Sequence, residues 1–171
     1  MKNPYRMAVF AILLAAGLST QPAGAQVRFA PQVAWGGDQD LAVGGRLLVK
    51  LSRLASSNPD TGFTSKIDFV LPFDWFVDCT ECTYYEVTPG FLLPLTVKDA
   101  GVYLGAGLNI ARLSIDTEGE DRSNLDLGLG LTGGLLVPIK SLNTFGEVRF
   151  TAGGAKQTVI SAGILLGRGN H

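Results

Sequence analysis

The chain has 171 residues, a formal net charge of −1 and a charged fraction of only 17%. Ordinary soluble proteins contain about 25% charged residues. A near-neutral chain offers no electrostatic support for binding nucleic acid, so we exclude a nucleic-acid partner. The sequence is also rich in glycine, with 22 residues of this type.

The first 25 residues are predicted to be a cleavable signal peptide. Lys2 and Arg6 provide a positive start, an apolar run follows over residues 7–18, and Ala23-Gly24-Ala25 precedes the expected cleavage site. The apolar run is shorter than the ~20 residues that a membrane-spanning helix needs. Residues 26–171 are therefore expected to form a single domain.

The rest of the sequence alternates apolar with small or polar residues at a period of two, which predicts strands rather than helices. Eight such stretches follow one another, at residues 27–35, 40–52, 66–76, 83–95, 101–112, 125–137, 143–152 and 158–168. Most have about ten residues, the length that crosses a bilayer at a tilt of ~45°. The connectors are too short for a parallel crossover, so we predict an antiparallel meander whose first and last strands pair.

The two faces of these strands differ in chemistry. One face is almost wholly apolar, and a charge at mid-depth on a lipid-facing surface would cost ~2–4 kcal/mol. The other face is rich in glycine and suits the narrow lumen of an eight-stranded barrel. Buried charges require partners, so its charges are predicted to form an ion-pair network that plugs the lumen. Five bases meet five acids there: Arg28, Arg46, Lys50, Lys66 and Arg149 against Asp68, Asp74, Glu86, Asp126 and Glu147.

Large aromatic residues cluster near the first-to-second and third-to-fourth connectors. If the amino terminus starts on the periplasmic side, both connectors lie at the outer end of the barrel. These residues then predict an aromatic girdle at the level of the lipid headgroups. The predicted girdle comprises Trp35, Trp75, Phe76, Tyr84 and Tyr85.

The chain has two cysteines, Cys79 and Cys82, in the motif "CTEC". An exported protein meets an oxidising environment, so we predict a disulfide that tightens an outer connector. Two thiols without nearby histidines make a poor zinc site, and no metal or cofactor is predicted. The outer connectors are also acidic, as in "DTEGED" at residues 116–121.

The signal sequence, the eight alternating strands, "YLGAGLNIA" at 103–111 and "FGEVRF" at 145–150 resemble the small outer-membrane β-barrel proteins of the OmpA and OmpX type. Glu147 and Arg149 match an inward acid–base pair of such barrels. The resemblance implies an all-β, eight-stranded, antiparallel up-and-down transmembrane barrel in the outer membrane of a Gram-negative-type bacterium. It further implies a monomer that contacts outer-membrane lipid and lipopolysaccharide and is folded by the outer-membrane assembly machinery. The chain departs from the family at its end, "LLGRGNH", where Leu166 stands in place of the usual terminal aromatic residue.

We expect no enzymatic activity and no catalytic residue. Enzymes among the small outer-membrane barrels use a histidine near the outer rim, whereas the single histidine here, His171, follows the last predicted strand. The expected role is structural, or adhesive through the acidic outer loops. Two alternatives remain open: an exported soluble lipocalin-like barrel that binds an apolar small molecule, and a pore for small solutes lined by the lumen charges.

Overall fold

The computed structural model describes residues 26–37, 40–51, 67–77, 82–97, 100–117, 120–139, 142–154 and 156–166. The predicted signal peptide therefore lies outside the described residues. No helix within these ranges is long and apolar enough to span a membrane. They form nine β-strands: β1 (Gln26–Gly36), β2 (Asp40–Lys50), β3 (Asp68–Phe76), β4 (Cys82–Val87), β5 (Gly90–Val97), β6 (Ala100–Thr117), β7 (Glu120–Ile139), β8 (Leu142–Gly153) and β9 (Gln157–Leu165).

The nine strands close into a barrel with eight walls. Neighbouring strands are antiparallel, and β1 pairs with both β2 and β9, so the sheet has no free edge. The fourth wall consists of two strands, because β4 and β5 both pair with β3 and with β6. The predicted eight-stranded antiparallel barrel is confirmed.

The fourth wall is interrupted at Thr88 and Pro89, where proline cannot donate a backbone hydrogen bond. The remaining backbone groups keep contact with the neighbouring strands. The amide of Thr88 donates to the carbonyl of Pro72 at 3.1 Å, and that of Leu108 donates to the carbonyl of Pro89 at 2.9 Å. Buried and exposed residues continue to alternate across the break. The interruption therefore shifts the ladder without reversing the faces of the wall.

The apolar faces of the strands point outward. Leu127, Leu129 and Leu131 on β7 are 64–66% exposed, whereas Arg46 and Asn109 are at most 2% exposed. This is the orientation predicted from the glycine and charge content of the second face. It excludes the lipocalin-like alternative, because such a barrel keeps its apolar side chains inside.

Part of the predicted aromatic girdle is wrong. Phe76 and Tyr84 are 1% and 8% exposed and lie inside the barrel, with their ring centroids 5.0 Å apart. Each residue shares the strand parity of an inward acid, so its position near a strand end did not determine the direction of its side chain. Trp35 and Trp75 do point outward, at 64% and 48% exposed, and Tyr85 is half-buried on the outer face beside Phe73.

Apolar clusters lie on both sides of the polar middle of the barrel. Phe76 and Tyr84 pack with alanines and Val159 near the end formed by the β1–β2 and β3–β4 connectors. Phe145 and Tyr103 belong to two clusters near the other end. The interior therefore consists of a polar layer between two apolar layers.

The last residue of β8, Gly153, has φ +118°, and a Cβ there would lie 2.9 Å from the carbonyl oxygen of Leu127. We expect Gly153→Ala to lower the free energy of unfolding by about 1–3 kcal/mol, because an L side chain is strained in this conformation. Denaturant unfolding of the refolded barrel, followed by tryptophan fluorescence, measures this change.

Gly146 on the same strand provides the matched control, since a Cβ there meets nothing within 4 Å. Gly146→Ala should leave the free energy of unfolding unchanged or raise it by about 0.5 kcal/mol, because alanine loses less backbone entropy on folding. Equal effects of the two substitutions would contradict the strained conformation of Gly153.

Candidate functional site

The polar layer contains an arginine that joins two acids. Arg149 on β8 places its Nη2 atom 2.9 Å from Oδ2 of Asp74 and 3.1 Å from Oε2 of Glu86. All three side chains are at most 3% exposed. Asp74 on β3 and Glu86 on β4 are direct cross-strand partners, and like charges in that position repel each other. The guanidinium of Arg149 offsets this repulsion.

A second arginine forms a two-pronged ion pair. Arg46 on β2 donates from Nη1 and Nη2 to the two carboxylate oxygens of Glu147, at 2.6 and 3.1 Å. Its Nε donates to Oε1 of Gln32 at 2.7 Å, and Nη2 also donates to Oγ of Ser161 at 3.2 Å. The guanidinium lies 3.9 Å from the ring centre of Phe145. Each of its nitrogen atoms therefore has an acceptor, as a buried arginine requires.

Neutral side chains connect these two ion clusters into one network. Gln32 accepts from Arg46 through its oxygen and donates to Asp74 through its nitrogen. Tyr103 donates to Glu147 at 2.9 Å. The network therefore crosses the lumen from β1 and β2 to β3, β4, β6, β8 and β9.

Within this network two arginines face three carboxylates. Glu86 also accepts hydrogen bonds from three neutral side chains, which stabilise the excess negative charge: Tyr84 at 2.6 Å, Asn109 at 3.1 Å and Gln157. Hydrogen bonds to a carboxylate are about twice as strong as those between neutral groups. These donors stabilise the charge that the single guanidinium of Arg149 leaves uncompensated.

The glycines of β7 provide the space for these large side chains. A Cβ at Gly134 would collide with the ring and hydroxyl of Tyr103, and a Cβ at Gly130 would touch the side chains of Thr88 and Arg149. Glycine weakens an ordinary strand. In β7 it leaves room in the lumen for the arginine and the tyrosine.

The structure brings together only half of the predicted lumen residues, namely Arg46, Asp74, Glu86, Glu147 and Arg149. Arg28, Lys50 and Asp68 line a separate cavity near the end where β1 begins. Asp126 is half-buried on β7 and accepts from Asn124 at 3.0 Å, and Lys66 lies outside the described residues. Sequence reasoning missed the neutral members of the network, although strand parity marks them as inward: Gln32, Tyr84, Tyr103, Asn109, Gln157 and Ser161.

Cys82, at the start of β4, lies at the opposite end of the barrel from this cavity. Cys82 is disulfide-bonded, and the only other cysteine in the sequence, Cys79, lies outside the described residues. His171 and most acidic connector residues also lie outside them. Within the part of the chain that the structure describes, no three His, Cys, Asp or Glu residues are grouped to hold a metal ion.

Comparison with known proteins identifies the fold. The sequence matches no family model and none of the curated proteins. The structure is similar to the N-terminal β-barrel domain of Pseudomonas aeruginosa OprF, with a TM-score of 0.62, 10% identity and coverage of 85% of this chain and 98% of that one. It is similar to Neisserial surface protein A, with a TM-score of 0.54, 18% identity and coverage of 84% and 98%. It is also similar to Ail, the attachment invasion locus protein of Yersinia pestis, with a TM-score of 0.50, 12% identity and coverage of 82% and 93%.

These three structures are eight-stranded outer-membrane barrels. The chain therefore has the fold of the small outer-membrane barrels of the OmpA and OmpX type, as the sequence resemblance predicted. At these identities the likeness concerns the fold alone.

Removal of the arginine that joins two acids should destabilise the barrel strongly. Arg149→Met leaves Asp74 and Glu86 buried without a cation, so we expect the free energy of unfolding to fall by about 3–5 kcal/mol. The triple variant that adds Asp74→Asn and Glu86→Gln should recover part of this loss, because it leaves no unpaired charge. Equilibrium unfolding in detergent or lipid measures both effects.

Arg112 on β6 supplies the control, since its side chain is exposed on the outer face. Arg112→Met should change the free energy of unfolding by no more than about 0.5 kcal/mol. If Arg149→Met had an equally small effect, the ion pairs would not hold the lumen together.

Proposed function

We propose that the chain is a non-catalytic outer-membrane protein whose lumen is closed by the ion-pair network. We further propose that it has a structural or surface-interaction role through the loops at its outer end. The observation that carries this proposal is the reversed burial pattern. The barrel exposes leucines and buries arginines, and only an apolar solvent makes that arrangement favourable.

The dimensions of the apolar face fit a membrane. On β7 the outward residues from Leu125 to Ile139 are 46% exposed or more wherever they carry a large side chain. Fourteen residue steps at ~3.4 Å and a tilt of ~45° give an apolar height of about 34 Å. This height covers the apolar band of about 25 Å that outer-membrane barrels carry and places the ends of the run at the level of the lipid headgroups.

A surface-interaction role is supported by the hairpin formed by β6 and β7. The two strands pair up to Thr117 and Glu120, whereas β7 pairs with β8 only as far as Gly128. The tip of the hairpin therefore projects beyond its neighbour at the end that carries the acidic connectors. Two of the similar structures are named for the cell surface and for attachment, which agrees with this proposal.

The closed sheet and the hydrogen-bonded acids of the interior support the rest of the proposal. A barrel without a free edge offers no strand for pairing with a second copy, which favours a monomer. The buried acids accept hydrogen bonds from arginine, tyrosine and amide groups, which favours a structural role over acid–base catalysis. Outer-membrane lipid and lipopolysaccharide would surround this protein, and the outer-membrane assembly machinery would fold it.

Cell fractionation tests the proposed location directly. We expect the chain in carbonate-washed outer membranes, and we expect its gel mobility to shift on boiling because the barrel stays folded in detergent. Immunoblotting of the fractions and of unboiled samples measures both. Recovery of the whole protein in the soluble periplasmic fraction would overturn the proposal.

Arginine substitutions at two depths test whether lipid covers the apolar face. Leu129→Arg, near the middle of the band, should lower the free energy of unfolding in lipid vesicles by about 2–4 kcal/mol. Ile139→Arg, at the end of β7, is the matched control with an expected loss of about 0–1 kcal/mol. Both side chains are exposed, at 66% and 53%, so a water-soluble barrel would tolerate the two arginines equally.

Conductance measurements distinguish a plugged lumen from a pore. We expect the refolded protein to give no steady channels of nanosiemens size in a planar bilayer, because Arg46, Glu147 and Arg149 cross the lumen. A general porin in the same apparatus serves as the positive control. Steady open channels would contradict the plugged lumen and support the alternative of a pore for small solutes.

A further inference from the structure

The polar layer leaves a cavity of about 250 Å³ at the end of the barrel where β1 begins and β9 ends. Most of its wall is apolar and comes from side chains such as Leu48, Leu92, Leu136 and Phe145. We call this space the lower vestibule. By comparison, an engineered apolar cavity of ~150 Å³ binds benzene. The lower vestibule is therefore large enough for a small organic molecule.

Three cations and one acid line the lower vestibule: Arg28, Arg46, Lys50 and Asp68. Arg46 is already occupied by Glu147, Gln32 and Ser161. Lys50 and Asp68 are direct cross-strand partners, and each has an interaction partner of its own. Their opposite charges offset each other, so among the described residues that line the lower vestibule one positive charge remains without a counter-ion.

That charge belongs to Arg28 on β1. Its Nε atom is buried and has no hydrogen-bond partner among the described residues. A buried donor without an acceptor costs about 1–3 kcal/mol, and the half-buried Arg28 also carries its positive charge at the wall of a mostly apolar cavity. An anionic group in the lower vestibule would supply both the acceptor and the opposite charge.

We infer that the lower vestibule is a binding site for a small apolar monocarboxylate. Its carboxylate accepts from the guanidinium of Arg28, and its aryl or short alkyl group packs against Leu136 and Phe145. The polar layer, through Arg46 and Tyr103, forms the floor of the site. This inference goes beyond the proposed function, since it needs the barrel interior but not a membrane location.

Binding can be measured by ¹⁹F NMR with 4-(trifluoromethyl)benzoate added to the folded protein in lipid nanodiscs, with empty nanodiscs correcting for partition into lipid. We expect saturable binding. Two matched probes each lack one half of the ligand: 4-(trifluoromethyl)benzyl alcohol lacks the charge, and trifluoroacetate lacks the ring. Each should bind at least about tenfold more weakly, since a charge-assisted hydrogen bond or a buried ring contributes a factor of that order.

Variants locate the site. Arg28→Gln should weaken binding of the benzoate probe by at least about tenfold, whereas Arg28→Lys should retain most of it. Arg112→Gln, the same change on the outer face, should leave binding unchanged. Leu136→Trp should weaken binding because the larger side chain fills the cavity. If Arg28→Gln gives no gel shift on boiling, and so does not fold, the binding measured for Leu136→Trp tests the site in its place.

Unchanged binding by Arg28→Gln, or equal binding of the benzoate and the alcohol, would overturn the inference. The same holds if the benzoate probe does not bind above the level of empty nanodiscs. These failures would leave the proposed membrane function untouched. Conversely, a soluble location of the chain would leave the lower vestibule intact as a site.

Discussion

The pairing of buried charges in the lumen is the interaction on which the rest of this structure depends. Arg46 with Glu147, and Arg149 with Asp74 and Glu86, lie at 3% exposure or less. Breaking such a pair leaves an uncompensated charge, which costs more than the pair itself contributes. The outer surface is mostly apolar and the lumen is ionic at this level, so exchanging a paired charge of the lumen with a leucine of the outer face would carry a large penalty. The ion pairs therefore link β2, β3, β4 and β8 across the lumen.

Space is the second constraint, and β7 is the strand that meets it. An eight-stranded barrel is only wide enough for its side chains to fill the interior. Polar side chains from the seven other walls enter this space, and an eighth wall with side chains of similar size would overfill it. The glycines at 128, 130 and 134 let β7 lie directly against Thr151, Arg149 and Tyr103. Leucines on the other side of the same strand face outward, which explains why leucine alternates with glycine along much of β7.

The polar layer divides the interior into two chemically different ends. Above it, Phe76 and Tyr84 pack with alanines at the end of the barrel where β4 begins with the disulfide-bonded Cys82. Below it, the lower vestibule combines apolar walls with the Nε of Arg28, which has no hydrogen-bond partner among the described residues. The end near Cys82 is therefore filled by packed side chains, whereas the other end contains a cavity. A surface role and a small-molecule site can then coexist in one barrel, because the polar layer separates them.

The period-two pattern by itself determined that the chain forms eight antiparallel walls, which residues face outward and which charges face inward. Side-chain direction in a strand follows from parity alone, and this rule held even through the break at Pro89. The pairing of the charges needed the tertiary structure, because Arg46 and Glu147 are 101 residues apart in sequence and Arg149 and Asp74 are 75 apart. Only the closure and stagger of the barrel bring such residues to the same level of the lumen. The same geometry places Arg28, Lys50 and Asp68 at a different level, around the lower vestibule. The aromatic residues show the same limit. Their position near a connector predicted that Phe76 and Tyr84 belong to a girdle at the lipid headgroups, whereas both side chains lie inside the closed barrel.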